Sequence, residues 1–593
     1  MRNLTREDIK HVKNYKKART FLLFLDFYSK IFINLGKTEV IYKMKKLPIG
    51  RDNFKDIIEG DFYYVDKTKI IEELLDKGAY IALFPRPRRF GKSLMISTLD
   101  EFFNVEKKES NKKLFEGLYI SKSKYIEEQG KYPVIKLNFK SLKADNWEHM
   151  YAIIKEEFRE LFANKRYVYD NLDNDEKEVY TRILRKEASQ DEYEKAIKIL
   201  SQFMERYFGK KVVLLIDEYD VPIQTGYARG FYNEVIGFIK NLFGNGLKTN
   251  DSVKFAVMTG ILRVSKESIF SDLNNVKIYS IIEEQYDEYF GFNEKETSDL
   301  LEHFGLKLTD DVKNMYDGYV FGKQEIYNPW SILNYAESGK LYLYWVNTSA
   351  DELLRELFDQ ARDNTSEMLE RLILGKDITI QYNEKITFLD LNAAASEDAV
   401  NVIGNFLLFS GYLTRAEKVD LGLDRYIKVK IPNNEVKIVY TDIISSWTAE
   451  SAKFAQYKLY ELKQKILSEE KEKIESILNQ ALQSMSFMDE HENFYHGYML
   501  GLFVNFLTGE YIVKSNREGG TGRFDIMIES LDRKLGIIVE FKVAKENEDL
   551  TQKAQEGKKQ IVDKEYYKEL ELDKVEKILT YAIAFRDKVC KVI

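Results

Sequence analysis

Five short, nearly continuous apolar runs mark the first half of the chain: Tyr80 to Phe84, Pro133 to Phe139, Val212 to Ile216, Val253 to Thr259 and Val276 to Ile281. Long helical stretches separate the first four. Strands that are apolar on both faces and alternate with helices predict a mainly parallel sheet covered on both sides, the doubly wound α/β class. That class receives ligands at the C-terminal ends of its strands. The pattern begins at Met44, with Leu47-Pro48-Ile49-Gly50. Residues 1–43 lack it and read as an N-terminal extension to a domain spanning 44–290.

Beyond residue 290 the strands give way to helices. Phe406 to Thr414 followed by Arg425 to Ile431 has the order helix, then hairpin, of a small winged-helix-like unit, so 291–447 is expected to be a helical and winged-helix-like region. Residues 448–485 carry Glu and Lys in opposite-sign pairs four apart, the pattern of a solvated helical connector. The last segment, 486–593, offers a helix from Asn493 to Leu507 and strands Tyr511 to Ser515, Phe524 to Ile528 and Gly536 to Phe541. A helix from Gln552 to Tyr567 and a strand from Ile578 to Ala584 complete this second α/β domain.

Composition narrows the function classes. A length of 593 residues suits three or four domains. The single cysteine, Cys590, excludes an internal disulfide and any multi-cysteine metal site, as expected in a reducing compartment. A net charge of −7 gives no global signature of nucleic-acid binding, so any grip on phosphates has to be local. Phe21 to Ile33, preceded by Lys16, Lys17 and Arg19, is interrupted by Asp26 and Lys30. It is too short and too charged to span a bilayer, and no small-residue cleavage site follows it. A cytoplasmic protein without a membrane segment is the expectation.

Two clusters carry chemistry. After the first strand comes Pro85-Arg86-Pro87-Arg88-Arg89-Phe90-Gly91-Lys92-Ser93, leading into a helix at Leu94. This is the placement of a P-loop. Gly91 allows close backbone approach, the amides at the helix start hold phosphate oxygens, Lys92 supplies charge and Ser93 a magnesium ligand. Arg89, Phe90, Gly91, Lys92, Ser93 and Leu94 form the candidate cradle. The usual first glycine is absent, because Arg86 stands there, and Pro85 and Pro87 cannot donate backbone hydrogens. The third strand delivers Asp217 and Glu218 at its end, the Walker B arrangement: Asp217 to hold magnesium through water, Glu218 to polarise the attacking water. The fourth strand ends in Thr259-Gly260, with Arg263 close behind. Thr259 and Arg263 either meet phosphate charge or only shape the turn.

The second cluster runs from Gly522-Arg523-Phe524-Asp525 to Val539-Glu540-Phe541-Lys542, as strand, turn, strand. Alternation along a strand puts Glu540 and Lys542 on one face and Phe541 on the other. Asp525 enters from the neighbouring strand. Two carboxylates and an ammonium suit magnesium or manganese, with Asp525, Glu540 and the Phe541 carbonyl as ligands and Lys542 orienting the attacking water. Glu492, at the start of the preceding helix, is a further ligand candidate, and Gln560, with Tyr566 nearby, is a candidate from the following one. Lys514, Arg517 and Arg523 either contact a phosphate backbone or form a solvated face. His496 reads as a packed helix histidine.

The chain resembles the bacterial and archaeal family that joins an AAA-ATPase-like domain to a C-terminal PD-(D/E)xK nuclease-superfamily domain. The matching stretches, in order, are Leu47 to Gly50, Tyr64-Val65-Asp66-Lys67-Thr68, Arg86 to Ser93, Leu215 to Asp220, Met258-Thr259-Gly260 and Tyr327-Asn328-Pro329-Trp330-Ser331. Ser410-Gly411-Tyr412-Leu413, Ile431 to Val436 and Gly522 to Lys542 follow. An arginine-rich loop without its first glycine is a habit of that family. The resemblance implies an ASCE/AAA-like P-loop NTPase sheet, a restriction-endonuclease-like C-terminal domain, ATP binding and a role with DNA or RNA. Residues 1–43 fall outside it, and Met44 stands where a natural start is expected. The leading expectation is an ATPase and magnesium-dependent nuclease in which ATP repositions the nuclease domain on nucleic acid. The alternatives are a nucleotide-switched scaffold with an inactive nuclease fold, or a toxin or defence scaffold. In the latter the helical region 291–480 docks a protein partner or a second copy.

Overall fold

The computed structural model describes residues 45–593 except 249, 262–274, 346–356, 359–361, 374, 384–385, 389, 392–397, 418–425, 441–442, 444–455, 484–510, 520–521 and 531. All elements below lie within the unit Lys46–Ile593. The expected helix from Asn493 to Leu507 falls outside the described residues.

Strands β1 (Ile81–Pro85), β2 (Val134–Asn138), β3 (Val212–Asp217), β4 (Val253–Gly260) and β5 (Val276–Ile278) form one sheet in the order β2-β3-β4-β1-β5, parallel throughout. Every residue of β1 and β3 is buried, which is why both read as unbroken apolar runs. Because β1 lies beside β4 and β4 beside β3, the C-terminal ends of these three strands open side by side.

The middle region is built from helices, a hairpin of β6 (Tyr319–Phe321) and β7 (Gln324–Ile326), and a small antiparallel sheet. That sheet pairs β8 (Ile378–Gln381), β10 (Tyr426–Lys430) and β9 (Thr414–Arg415) in the order β8-β10-β9. The helix Ala399–Ser410 precedes β9 and stops at Gly411, whose φ of +90° breaks the helical turn.

The C-terminal sheet runs β11 (Tyr511–Gly519), β12 (Gly522–Ser530), β13 (Leu535–Val543), β14 (Lys577–Arg586) and β15 (Val589–Val592), antiparallel except between β13 and β14. The parallel pair is bridged by the helices Leu550–Asp563 and Lys568–Leu572. Strand β15 goes beyond the sequence expectation: it is a four-residue return after the turn at Asp587, where φ is +52°.

The stretch expected as a charged connector forms two helices, Gln456–Leu467 and Lys471–Gln483, that dock on this sheet. The second buries Ile474, Ile477, Leu478, Ala481 and Leu482, an apolar stripe spaced for one helix face. Its polar residues finish the sheet edge. The Asn479 side chain accepts from the Cys590 amide at 2.6 Å and donates to its carbonyl at 3.3 Å, and Glu475 accepts from the Val592 amide at 3.0 Å. Unpaired backbone groups of an edge strand are thereby covered. Cys590 is buried, and burial pushes its thiol pKa up, so it stays a protonated core residue.

Candidate active sites

The candidate phosphate-loop residues gather where β1, β3 and β4 end. Gly91, at φ +84°, caps the helix Lys92–Phe103, a backbone turn that a side chain would strain. Lys92 is buried; its ammonium donates to the Pro87 carbonyl at 3.1 Å and lies 3.7 Å from Glu218 Oε1. Asp217 is buried at the end of β3. It accepts from Thr259 Oγ1 at 2.5 Å and from Asn138 Nδ2 at 3.2 Å, and the Ser93 hydroxyl also reaches it. Burial pushes the Asp217 pKa up, while the hydrogen bonds from Ser93 and Thr259 work against that rise.

Thr259 is therefore spent on orienting Asp217. Asn138, at the end of β2, is a partner that sequence reasoning missed, since an asparagine closing a strand carries no distinctive signal. Glu218 sits at φ +54°, a left-handed conformation that costs a non-glycine residue on the order of 1 kcal/mol. Gly260 allows this arrangement: a Cβ there would fall 2.6 Å from the Tyr219 ring and 2.7 Å from Asp220 Oδ1. Arg263 lies outside the described residues.

These groups open on a cavity of about 450 Å³ lined by Arg88, Gly91, Lys92, Ser93, Leu94 and Glu218 among others. Its lining also includes Pro48 and Gly50, so the Leu47-Pro48-Ile49-Gly50 stretch shares this cavity with the loop. A volume of this order suits a small-molecule ligand.

The loop is not glycine-rich because it is held from outside. Arg86 is fully buried and its guanidinium donates to the carbonyls of Pro85, Tyr279 and Tyr286 at 2.9, 2.5 and 3.2 Å. Burial lowers its pKa to about 9, with Asp287 opposing. It braces β1 against the segment after β5 and takes no part in the cavity. Phe90 packs on Tyr319 and Phe321, and its carbonyl accepts from the Gly291 amide at 3.1 Å. Arg89, at φ +69°, stacks on Trp330 at 4.2 Å. The Arg88 carbonyl accepts from Asn328 Nδ2 at 3.5 Å and Trp345 Nε1 at 3.3 Å.

Glu435 ties this clamp together. Its two oxygens accept from the Trp345 amide at 2.6 Å and the Ser331 hydroxyl at 2.7 Å. Burial raises its pKa to about 7, against those hydrogen bonds. The stretches Tyr327 to Ser331 and Ile431 to Val436 thus meet at the loop, a role no local pattern announced.

In the C-terminal sheet Asp525 and Glu540 lie on the adjoining strands β12 and β13. Asp525 Oδ2 accepts from the Phe541 amide at 2.7 Å, and Lys542 Nζ pairs with the buried Glu540 at 2.8 Å. Gln560 Nε2 donates to the Tyr566 hydroxyl at 2.9 Å. Burial pushes the Tyr566 pKa up; Gln560 opposes, and the charges of Glu540 and Asp525 add to the rise, so all four residues share one neighbourhood. Gly557 makes the meeting possible. A Cβ there would stand 3.2 Å from Ala582 Cβ, 3.3 Å from Lys542 Cγ and 3.6 Å from Glu540 Cγ, so the helix Leu550–Asp563 crosses directly over the pair. Its only sequence signal was a glycine inside a helical stretch. Glu492 and His496 lie outside the described residues, as do the side chains of Lys514, Arg517 and Arg523. Among the described residues no three His, Cys, Asp or Glu side chains form a metal-binding group, but two carboxylates suffice for magnesium, which keeps several waters.

Residues 48–270 match the family model of a predicted AAA-ATPase, and residues 490–593 match that of the PD-(D/E)XK nuclease superfamily. The chain joins an AAA-ATPase-like domain to a PD-(D/E)XK nuclease-superfamily domain. The parallel five-stranded sheet lies almost wholly within the first match and the mixed sheet lies within the second. The chain is also similar to an "Uncharacterized protein in vnfD 5'region" of Azotobacter chroococcum mcd 1, 28% identical over 398 residues, which cover 66% of this chain and 68% of that protein. These matches give the chain a general ATPase-like and nuclease-like character. No helix among the described residues is long and apolar enough to cross a membrane.

Proposed function

We propose that the AAA-ATPase-like domain, taken as 44–290, binds and hydrolyses ATP, and that its nucleotide state positions the PD-(D/E)XK domain, taken as 486–593, to cleave DNA or RNA. A lysine and a hydroxyl that follow β1 and two carboxylates at the end of β3, beside a cavity of about 450 Å³ that Lys92, Ser93 and Glu218 line, carry this reading. Lys92 leaves the Pro87 carbonyl to meet the β- and γ-phosphates, and the amides after Gly91 hold their oxygens. Ser93 and, through water, Asp217 are the residues to hold magnesium, which would neutralise phosphate charge. Thr259 and Asn138 keep the Asp217 carboxylate turned to that duty. Glu218 accepts the proton of the attacking water.

In the second site Asp525 and Glu540, with the Phe541 carbonyl and Glu492, are the residues to hold magnesium or manganese, which would polarise the scissile phosphate. The Phe541 amide donates to Asp525, and amide and carbonyl of one strand residue leave on the same side, so that carbonyl faces Asp525. Lys542 orients the water and Gln560 holds Tyr566 beside the carboxylates. The regions 291–447 and 448–485 are the natural carriers of a nucleotide signal between the sites, in a cytoplasmic protein whose partners are nucleic acid and, through the middle region, a second copy or another protein.

The test is a matched pair of assays on purified protein. Lys92→Ala is expected to abolish measurable ATP affinity, while Glu218→Gln keeps affinity and slows turnover about a hundredfold or more. Equal ATP affinity in wild type and Lys92→Ala would refute the phosphate-site assignment. Nucleic-acid cleavage in magnesium or manganese should vanish in Asp525→Ala and Glu540→Ala alike, with the double variant no worse. If no metal supports cleavage of any DNA or RNA, the switched-scaffold reading replaces this one.

A further inference from the structure

The three arginines of the loop have been given three different environments. Arg86 is enclosed by carbonyls and Arg89 lies on an indole face, so both are occupied. Arg88 is half-buried at the cavity wall, and its guanidinium makes one long hydrogen bond, 3.4 Å, to the neutral Gln224 Oε1. Among the described residues it forms no ion pair with a carboxylate. Gln224 is itself held by Asp220 Oδ2 at 3.0 Å, and the same Asp220 oxygen accepts from the Ile261 amide at 2.9 Å. A partly desolvated cation left without a counter-charge beside a cavity is poised for an anion.

Its position says which anion. The Lys92 ammonium bonds the carbonyl of Pro87, the residue just before Arg88, so the Arg88 backbone passes beside that ammonium. The guanidinium then reaches Gln224, in the helix Val221–Arg229 that follows Asp217 and Glu218. It joins the loop to the helix that follows Glu218, and it lines the same cavity as Lys92, Ser93 and Glu218, the groups that meet the terminal phosphate in the ATPase reading. The Arg88 carbonyl is pinned by Asn328 and Trp345, so the loop presents this side chain from a fixed base.

We infer that Arg88 is a catalytic arginine supplied by the loop of the same chain, moving from Gln224 to the γ-phosphoryl oxygens to stabilise the charge that develops during hydrolysis. This rests on the ATPase reading. In the step, the water oxygen bonds to the γ-phosphorus and its proton passes to Glu218. The bond from that phosphorus to the β–γ bridging oxygen breaks and ADP leaves with the electron pair. Arg88 changes no bond; it carries charge on the equatorial oxygens. Hydrolysis then needs no arginine from a neighbouring subunit.

The experiment uses the full chain, with ATP affinity by calorimetry and turnover by phosphate release. Arg88→Ala is expected to lower kcat on the order of a thousandfold while ATP affinity changes less than about threefold, and Arg88→Lys to recover only a small part. The calorimetric affinity doubles as a check that each variant is folded. Mixing Arg88→Ala with Glu218→Gln should restore nothing, because each active site draws both residues from one chain. Wild-type turnover in Arg88→Ala, alongside a dead Lys92→Ala, overturns the inference and leaves the ATPase reading standing. Recovery of activity in the mixture overturns the same-chain supply. Undiminished ATP binding in Lys92→Ala, or no turnover by wild type, overturns both.

Discussion

At the scale of residues, burial sets the chemistry of the groups around the phosphate loop. Glu435 shows this most plainly, because its carboxyl titrates at about 7 in the folded chain against an ordinary 4.5. The folded chain keeps a proton there that the unfolded chain has already released, so the associated stability is complete below pH 4.5 and is lost as pH rises to 7. The difference amounts to about 3 kcal/mol. Glu435→Gln, which is neutral at every pH, should remove this component: between pH 5 and 7.5 the melting temperature of wild type falls further than that of the variant. Parallel curves would contradict the buried, protonated carboxyl. Gly557 sets a comparable constraint in the C-terminal domain. Gly557→Val forces two methyl groups toward Lys542 and Ala582, lifting the helix from the catalytic face, and should cut metal-dependent cleavage at least about tenfold while the ATPase is unchanged. Unaltered cleavage would show that this helix does not shape the site.

At the scale of elements, the middle region holds the phosphate loop through two side-chain donors on one carbonyl. Asn328→Ala and Trp345→Phe each remove one of them and should weaken ATP binding about three- to tenfold, the worth of one hydrogen bond. Affinity indistinguishable from wild type in both variants would mean that the loop holds its shape alone. The five strands of the parallel sheet and the first four of the C-terminal sheet were legible in the sequence, whereas β8 and the hairpin of β6 and β7 were not. Buried strands such as Val212–Asp217 announce themselves by an unbroken apolar run, and Gly91-Lys92-Ser93 and Glu540-x-Lys542 stand at strand ends or on one strand face, where local spacing carries the signal. What could not be read was decided across long separations. Arg86 binds carbonyls roughly two hundred residues on, at Tyr279 and Tyr286, and Trp345 reaches back to Arg88. Strand β15 is short and needs Asn479 and Glu475 to cover its edge, and those two side chains sit in a stretch whose charge pattern pointed to solvent. Asn479→Ala should therefore cost about 1–3 kcal/mol, because it leaves both Cys590 backbone groups without that partner.

At the scale of the whole molecule, the recognisable pattern begins at Met44, and the described unit begins at Lys46. A chain starting at Met44 should fold and bind ATP as the full chain does; aggregation or a markedly lower melting temperature would show that the first 43 residues belong to the core. The central claim is that the nucleotide site and the C-terminal carboxylate site act as one machine. The most direct measurement is the rate of magnesium-dependent cleavage of labelled DNA and RNA, with and without ATP, by wild type and by Lys92→Ala. The account predicts that ATP changes the wild-type rate and leaves that of Lys92→Ala untouched, while Glu540→Ala cleaves in neither condition. A wild-type rate that is the same with and without ATP, or cleavage that survives in Glu540→Ala, would contradict it.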